Sequence, residues 1–306
     1  MDERVFAVES TATSQQGVQA LYLKRGERPA LFALHYPPAD LPLKGLVVYV
    51  HPLAEEMNKS RRMAALQARA LAQAHFAVLQ LDLSGCGDSA GELADVDWAD
   101  WVSDVVAACG WLQTNYAAQD SAAGRVPLWL WGLRSGCLVA AQAAEQLSTA
   151  CHLLFWQAAV NGQLVLTQHL RLATAANMLS KAEGPKLAEL KTRLLEQGQS
   201  VLVAGYEMGA GLAKGLAAAS LQAPTRPCRA IWLELSAAPA AELSPAGARA
   251  AASWRDAGID VHTAVIEGPQ FWQTLEIEVA PLLVSGTTEA LQARTDAAAT
   301  CAIPQP

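Results

Sequence analysis

Residues 126–144 read VPLWLWGLRSGCLVAAQAA, and the fold turns on how this stretch is read. The Val, Leu and Trp run is a strand buried on both faces, and the Ala-rich continuation has the period of a helix. Gly132 and Gly136 bracket the turn between them, as the glycines of G-x-S-x-G bracket a strained residue where strand and helix backbones pack close. Position 134 between them is arginine. A guanidinium stays protonated and has no lone pair for attack, so Arg134 cannot act as a nucleophilic serine acts there, but it can bind an anion. Ser135 stands one residue late. It reads either as a shifted nucleophile or as a helix N-terminal cap, while its backbone N–H occupies the slot that supplies half of an oxyanion hole.

Outward from this turn, short apolar runs alternate with helix-compatible segments, the pattern of crossover units on a parallel sheet. Buried strands are expected at 45–51, 76–83, 126–132, 152–158, 229–235 and 260–267. VQALYLKRG and ALFALHYPP form an antiparallel edge hairpin ended by Pro37 and Pro38. Helices are expected at 60–74, 98–115, 136–148, 245–256 and 271–283. Residues 159–227 break the alternation and read as an inserted helical lid over the strand ends, and residues 287–306 read as a frayed tail.

A second constellation, HPLAEEMNKSRRM (51–63), follows the strand 45–51 and so lies beside the 132–136 turn, in the crevice beyond the carboxyl ends of the strands. It gathers His51, Glu55, Glu56, Asn58, Arg61 and Arg62 in a chain that is only 17% charged. The plainer reading is a solvated helix start capped by Asn58 or Ser60. DLSGCGDSAGE (82–92) reads as a turn-rich loop that organises backbone. No histidine follows the last strand, where GPQFW stands, and no aspartate stands in the turn after strand 229–235, so a general base has no obvious owner. Trp98, Trp101 and Trp272 read as packing or as cleft walls.

The chain has 306 residues, 52% of them hydrophobic, and a net charge of −7, opposite to the basic footprint of a nucleic-acid binder. No apolar stretch reaches the roughly 18 residues of a membrane span, and the start lacks the form of a signal peptide. The expected setting is cytoplasmic. Six scattered cysteines without CxxC pairs suggest reduced thiols, with no metal site and no cofactor.

On VVYVHPLAEEMNKSRRMAALQARALA, LQLDLSGCGDSAGEL, PLWLWGLRSG and GPQFWQTLEI, residues 45 to about 280, the chain resembles the α/β-hydrolase superfamily. Within it, the HP-x-AEE-x-N-x-x-RR stretch and the GLR-x-G turn resemble the exosortase A system-associated hydrolases, second type. The resemblance implies an α/β-hydrolase fold, a mostly parallel central sheet flanked by helices. It also implies work beside an exosortase in bacteria that build exopolysaccharide and sort PEP-CTERM proteins. The expected reaction is hydrolysis or acyl transfer on a small carboxylate- or ester-bearing molecule. Arg134, Ser135, His51, Glu55 and Glu56 are the candidate catalytic residues, and Leu53, Asn58, Arg61 and Arg62 the candidate substrate contacts; the resemblance implies that the backbone N–H groups of Leu53 and Ser135 are the oxyanion donors. A pathway protein or a second copy of the chain is the expected macromolecular partner. The alternative is a catalytically silent pseudo-hydrolase that binds a ligand or regulates.

Overall fold

The computed structural model describes residues 17–119, 125–180, 184–226, 228–238 and 240–301; the signal-peptide reading of the first residues and the last part of the expected tail lie outside them. Eight strands form one sheet: β1 (Gln19–Arg25), β2 (Arg28–Tyr36), β3 (Gly45–Val50), β4 (Phe76–Leu81), β5 (Leu128–Leu133), β6 (His152–Trp156), β9 (Arg229–Ser236) and β10 (Asp260–Glu267). Their order is β1-β2-β4-β3-β5-β6-β9-β10. β2 pairs antiparallel with β1 and β4, and every later pairing is parallel. β3 and β5 are buried at every residue, as strands covered on both faces must be.

Helices cover both faces. α1 (Glu55–Gln73) and α8 (Pro281–Cys301) close one side over Val47, Tyr49, Trp129, Trp131 and Trp156. α2 (Trp98–Asn115), α3 (Gly136–Gln146) and α7 (Pro245–Asp256) close the other over Val48, Leu130 and Phe155. α2 starts at a reciprocal capping box between Asp97 and Asp100, and α7 at Ser244, whose Oγ accepts the Gly247 N–H at 3.1 Å. Between β6 and β9 run α4 (Gly162–Ser180), the short α5 (Leu187–Lys191), a hairpin of β7 (Val201–Val203) and β8 (Tyr206–Met208), and α6 (Ala210–Ala218). The insertion therefore carries a β-hairpin as well as the expected helices.

Three expectations change. α1 begins at Glu55 rather than residue 60, with Ala54 in the left-handed region (φ 53) at its start, so neither Asn58 nor Ser60 caps it. Glu55 and Glu56 then lie in the first turn, where the helix dipole favours acids. Residues 271–273 form turns instead of starting a helix. The expected frayed tail is largely α8, because Thr287 and Leu291 are buried and the Trp156 indole N–H bonds Thr287 Oγ1 at 2.9 Å.

The turn at 132–136 fixes how α3 leaves the sheet. A Cβ on Gly136 would stand 2.2 Å from the Val50 carbonyl oxygen, and one on Gly132 2.6 Å from Cys137 Cα. Neither neighbour is a flexible side-chain end. Gly136→Ala is expected to destabilise by roughly 1–3 kcal/mol in chemical denaturation, through overpacking against β3.

Three histidines are held neutral by burial. His35, between Gln19 and Tyr116, His152, whose Nδ1 accepts the Arg229 N–H, and His169 in α4 are each lowered to about 4. A lowered folded pKa means that only the unfolded chain takes up protons between the ordinary imidazole value and about 4. Their contribution is complete above pH 6.5 and is lost as pH falls towards 4. The unfolding free energy should fall steadily over that window; a flat profile would contradict this origin.

Candidate functional site

β5 delivers Arg134 to the apex of the turn in the left-handed region, φ 54, a backbone state that a non-glycine residue holds at a cost of about 1–3 kcal/mol. The surroundings fix it: its N–H donates to the Trp156 carbonyl at 3.0 Å, and its own carbonyl accepts the N–H groups of Cys137 and Ala159, each at 3.2 Å. This backbone raises the side chain above the strand ends, where the guanidinium carbon lies 5.7 Å from the Trp272 ring centroid. Its Nε donates to Glu56 Oε1 at 3.4 Å, and its terminal N–H groups make no hydrogen bond among the described residues. Both side chains of the pair are partly open to solvent, 20% for Arg134 and 29% for Glu56. Burial pushes the Glu56 carboxyl above its usual range, against the pull of the Arg134 charge.

Ser135 lies beneath. It is 1% exposed, and its Oγ accepts the Leu53 backbone N–H at 2.9 Å without making a cap bond to α3. The serine hydroxyl thus sits against the loop that carries Leu53. His51 is also enclosed: Nε2 accepts the Leu83 N–H at 3.1 Å, and Nδ1 lies 2.7 Å from the Pro52 carbonyl. These partners assign the proton to Nδ1, and burial lowers the ring's affinity for a second one. Both nitrogens of the imidazole therefore hold backbone.

The structure brings Arg134, Glu56, Leu53 and Ser135 together and sends the other candidates elsewhere. Glu55 and Asn58 meet the insertion: Tyr206 donates its hydroxyl proton to Glu55 Oε2 at 3.1 Å and accepts from Asn58 Nδ2. Arg61 grips Asp82 with two bonds of 3.2 Å, and Arg62 is exposed on α1. At the end of β9, Glu234 is buried and accepts the Ser244 N–H at 2.7 Å, which anchors α7. After β10, Gln270 pairs with Gln273. Among the described residues no group of three potential metal ligands gathers.

Two contributors carried little signal in the sequence. Tyr206 belongs to a hairpin hidden in a glycine-spaced segment, and Asp82 sits in the loop that read as backbone organisation. Trp272 left a better trace, as an aromatic just after the last strand.

The position of the turn, the strand order and the insertion after β6 can be compared with known proteins. The family model described as serine aminopeptidase, S33, matches residues 42–195, just over half of the chain. No curated protein matches the sequence at a significant level. Among solved structures, a thermostable carboxyl esterase from Bacillus coagulans in complex with glycerol has a TM-score of 0.60 at 14% identity, over 92% of this chain and 100% of that one. Est1E from Butyrivibrio proteoclasticus with bound ferulic acid has a TM-score of 0.59 at 14% identity, over 87% of this chain and 95% of that one. Proline iminopeptidase from Mycobacterium smegmatis has a TM-score of 0.53 at 16% identity, over 92% and 100%. At these identities the likeness shows a shared fold. The family match, which spans β3 to β6 and the turn between β5 and α3, makes the chain a member of the serine aminopeptidase S33 family of α/β hydrolases.

Proposed function

We propose that this chain hydrolyses an ester-type bond in a small carboxylate-bearing molecule without a serine nucleophile. The observation that carries the reading is the Arg134–Glu56 pair, 3.4 Å apart over Trp272 at the apex of the turn. The free terminal N–H groups of Arg134 suit a bidentate contact to a substrate carboxylate. Glu56, its carboxyl raised by burial, is suited to take a proton from water as that water adds to the ester carbonyl. The tetrahedral oxyanion would meet the Ser135 and Leu53 backbone N–H groups, once the Ser135 hydroxyl turns away from Leu53. Collapse breaks the C–O bond, and Glu56 returns the proton to the leaving alkoxide. An alcohol in place of water makes the same sequence an acyl transfer.

In this reading Ser135 guards the oxyanion donor, and His51 holds the loop that presents it. Glu55 and Asn58 tie the insertion to α1 through Tyr206, and Arg61 and Arg62 stay outside the chemistry. The resemblance to exosortase-associated hydrolases supports a cytoplasmic enzyme acting on an intermediate of exopolysaccharide or PEP-CTERM sorting, beside a pathway protein or as a homodimer.

Two observations favour a second reading, a binding or regulatory protein that has lost turnover: the Leu53 N–H is already bonded to Ser135 Oγ at 2.9 Å, and no imidazole follows β10.

A panel of short acyl esters and thioesters, with and without a carboxylate, separates the two. Hydrolysis should favour carboxylate-bearing esters, Glu56→Gln should lower kcat by about 10²–10⁴-fold, and Ser135→Ala should keep turnover. Arg134→Ala should raise KM chiefly for the carboxylate-bearing members. kcat/KM should climb with pH through a value above the ordinary carboxylate range, since the base works deprotonated and its pKa is raised. Loss of all activity in Ser135→Ala would revive a serine nucleophile. Carboxylate binding without turnover would support the binding protein.

A further inference from the structure

Tyr49 carries a hydroxyl that the chemistry above does not use. Residues paired across neighbouring strands share a face, so Tyr49 of β3 stands beside Gln80 of β4, with Leu34 of β2 beyond it, on the side covered by α1. The residue is 5% exposed, with its ring 4.4 Å from that of Trp131, and its hydroxyl makes no hydrogen bond among the described residues. Buried polar groups are nearly always paired. The indole nitrogens of Trp129 and Trp131 are sealed in the core without partners, whereas the Tyr49 hydroxyl is not sealed in this way and Tyr49 lines a cavity of about 190 Å³.

The cavity exists because α1 presents Ala64 and Ala65 where longer side chains would reach the sheet. Phe32, Leu34 and Met57 complete walls that are mostly apolar; His51 and Gln80 also line them, the Gln80 Nε2 buried without a partner among the described residues, and the Arg61–Asp82 pair, bonded twice at 3.2 Å, borders them. That pair balances its own charge and asks for no ionic partner. An apolar cavity of about 150 Å³ is known to hold benzene, so this one admits a single ring or a short branched chain.

We propose that this cavity is a binding site for a small neutral molecule of that size, carrying one hydrogen-bond acceptor, such as a ketone or ester carbonyl, that takes the Tyr49 hydroxyl proton. Arg134 and Glu56 do not line this cavity, although His51, which holds the neighbouring loop, does, and the proposal does not depend on the reaction assigned to that pair.

The test titrates cyclohexanone, and benzene as the ring without an acceptor, into the whole protein by methyl NMR. Both should give saturable shifts, with ligand contacts to the methyl groups of Leu34, Met57, Ala64 and Ala65. Tyr49→Phe should weaken cyclohexanone by roughly three- to tenfold and leave benzene unchanged, as the loss of one hydrogen bond requires. Ala65→Leu should abolish both by filling the space; should that variant not fold, the ligand contacts in the native protein decide alone. Absence of saturable binding, contacts to another part of the molecule, or unchanged cyclohexanone affinity in Tyr49→Phe would overturn the proposal.

Discussion

Where the backbone of Gly136 passes the carbonyl of Val50, an added methyl group would stand 2.2 Å from the oxygen. That approach locks the first turn of α3 against the end of β3, and the loop from His51 to Ala54 emerges from the same place. The positive φ of Arg134, the bond from the Leu53 N–H to Ser135 Oγ and the burial of His51 all follow from two backbones pressed together at the sheet's carboxyl edge. Parallel strands, with helices on both faces, bring these loops to one edge. The strain at position 134 is stored there because hydrogen bonds to Trp156, Cys137 and Ala159 hold the turn from three sides.

What stands on this scaffold is electrostatically unlike a serine site. A serine at the apex needs an imidazole to take its proton, and the imidazole needs an acid to orient it. Here the apex carries a permanent positive charge, paired with a carboxylate from the first turn of α1 and laid over an indole ring. The charge lowers the carboxyl's proton affinity and burial raises it, with burial the larger effect. The helix N-terminus under Glu56 also favours the anion. Under the proposed function this site orients an anion and moves a proton, while Ser135 Oγ and the His51 ring hold backbone N–H groups.

The sheet was legible because buried parallel strands read as continuous apolar runs, and β3, β4, β5, β6, β9 and β10 all fall where those runs stand. The turn was legible because two glycines four residues apart between a strand and a helix have few other uses. The start of α1 was misjudged, since a left-handed alanine leaves no capping signature. The end of α8 was misjudged because Ala- and Thr-rich sequence looks frayed until Trp156 is known to bond Thr287. At the site, the cluster 51–62 was visible as composition, but its division into a buried histidine, a paired glutamate, a contact to the insertion and an Asp82 partner depends on which way each side chain leaves α1. Helical spacing alone does not specify which distant loop a side chain meets. Tyr206 and Asp82 were silent for that reason, as was the space that Ala64 and Ala65 leave above Tyr49.

Under the proposed function Glu56 is a proton-transfer group whose affinity is raised by burial and moderated by Arg134. The measurement that tests it most directly is a pH titration of the carboxyl carbon of Glu56 by NMR, in the native protein and in Arg134→Ala. The account predicts a midpoint above the ordinary carboxylate range in the native protein and a further rise when the guanidinium is removed. An ordinary midpoint that does not respond to Arg134→Ala would contradict it.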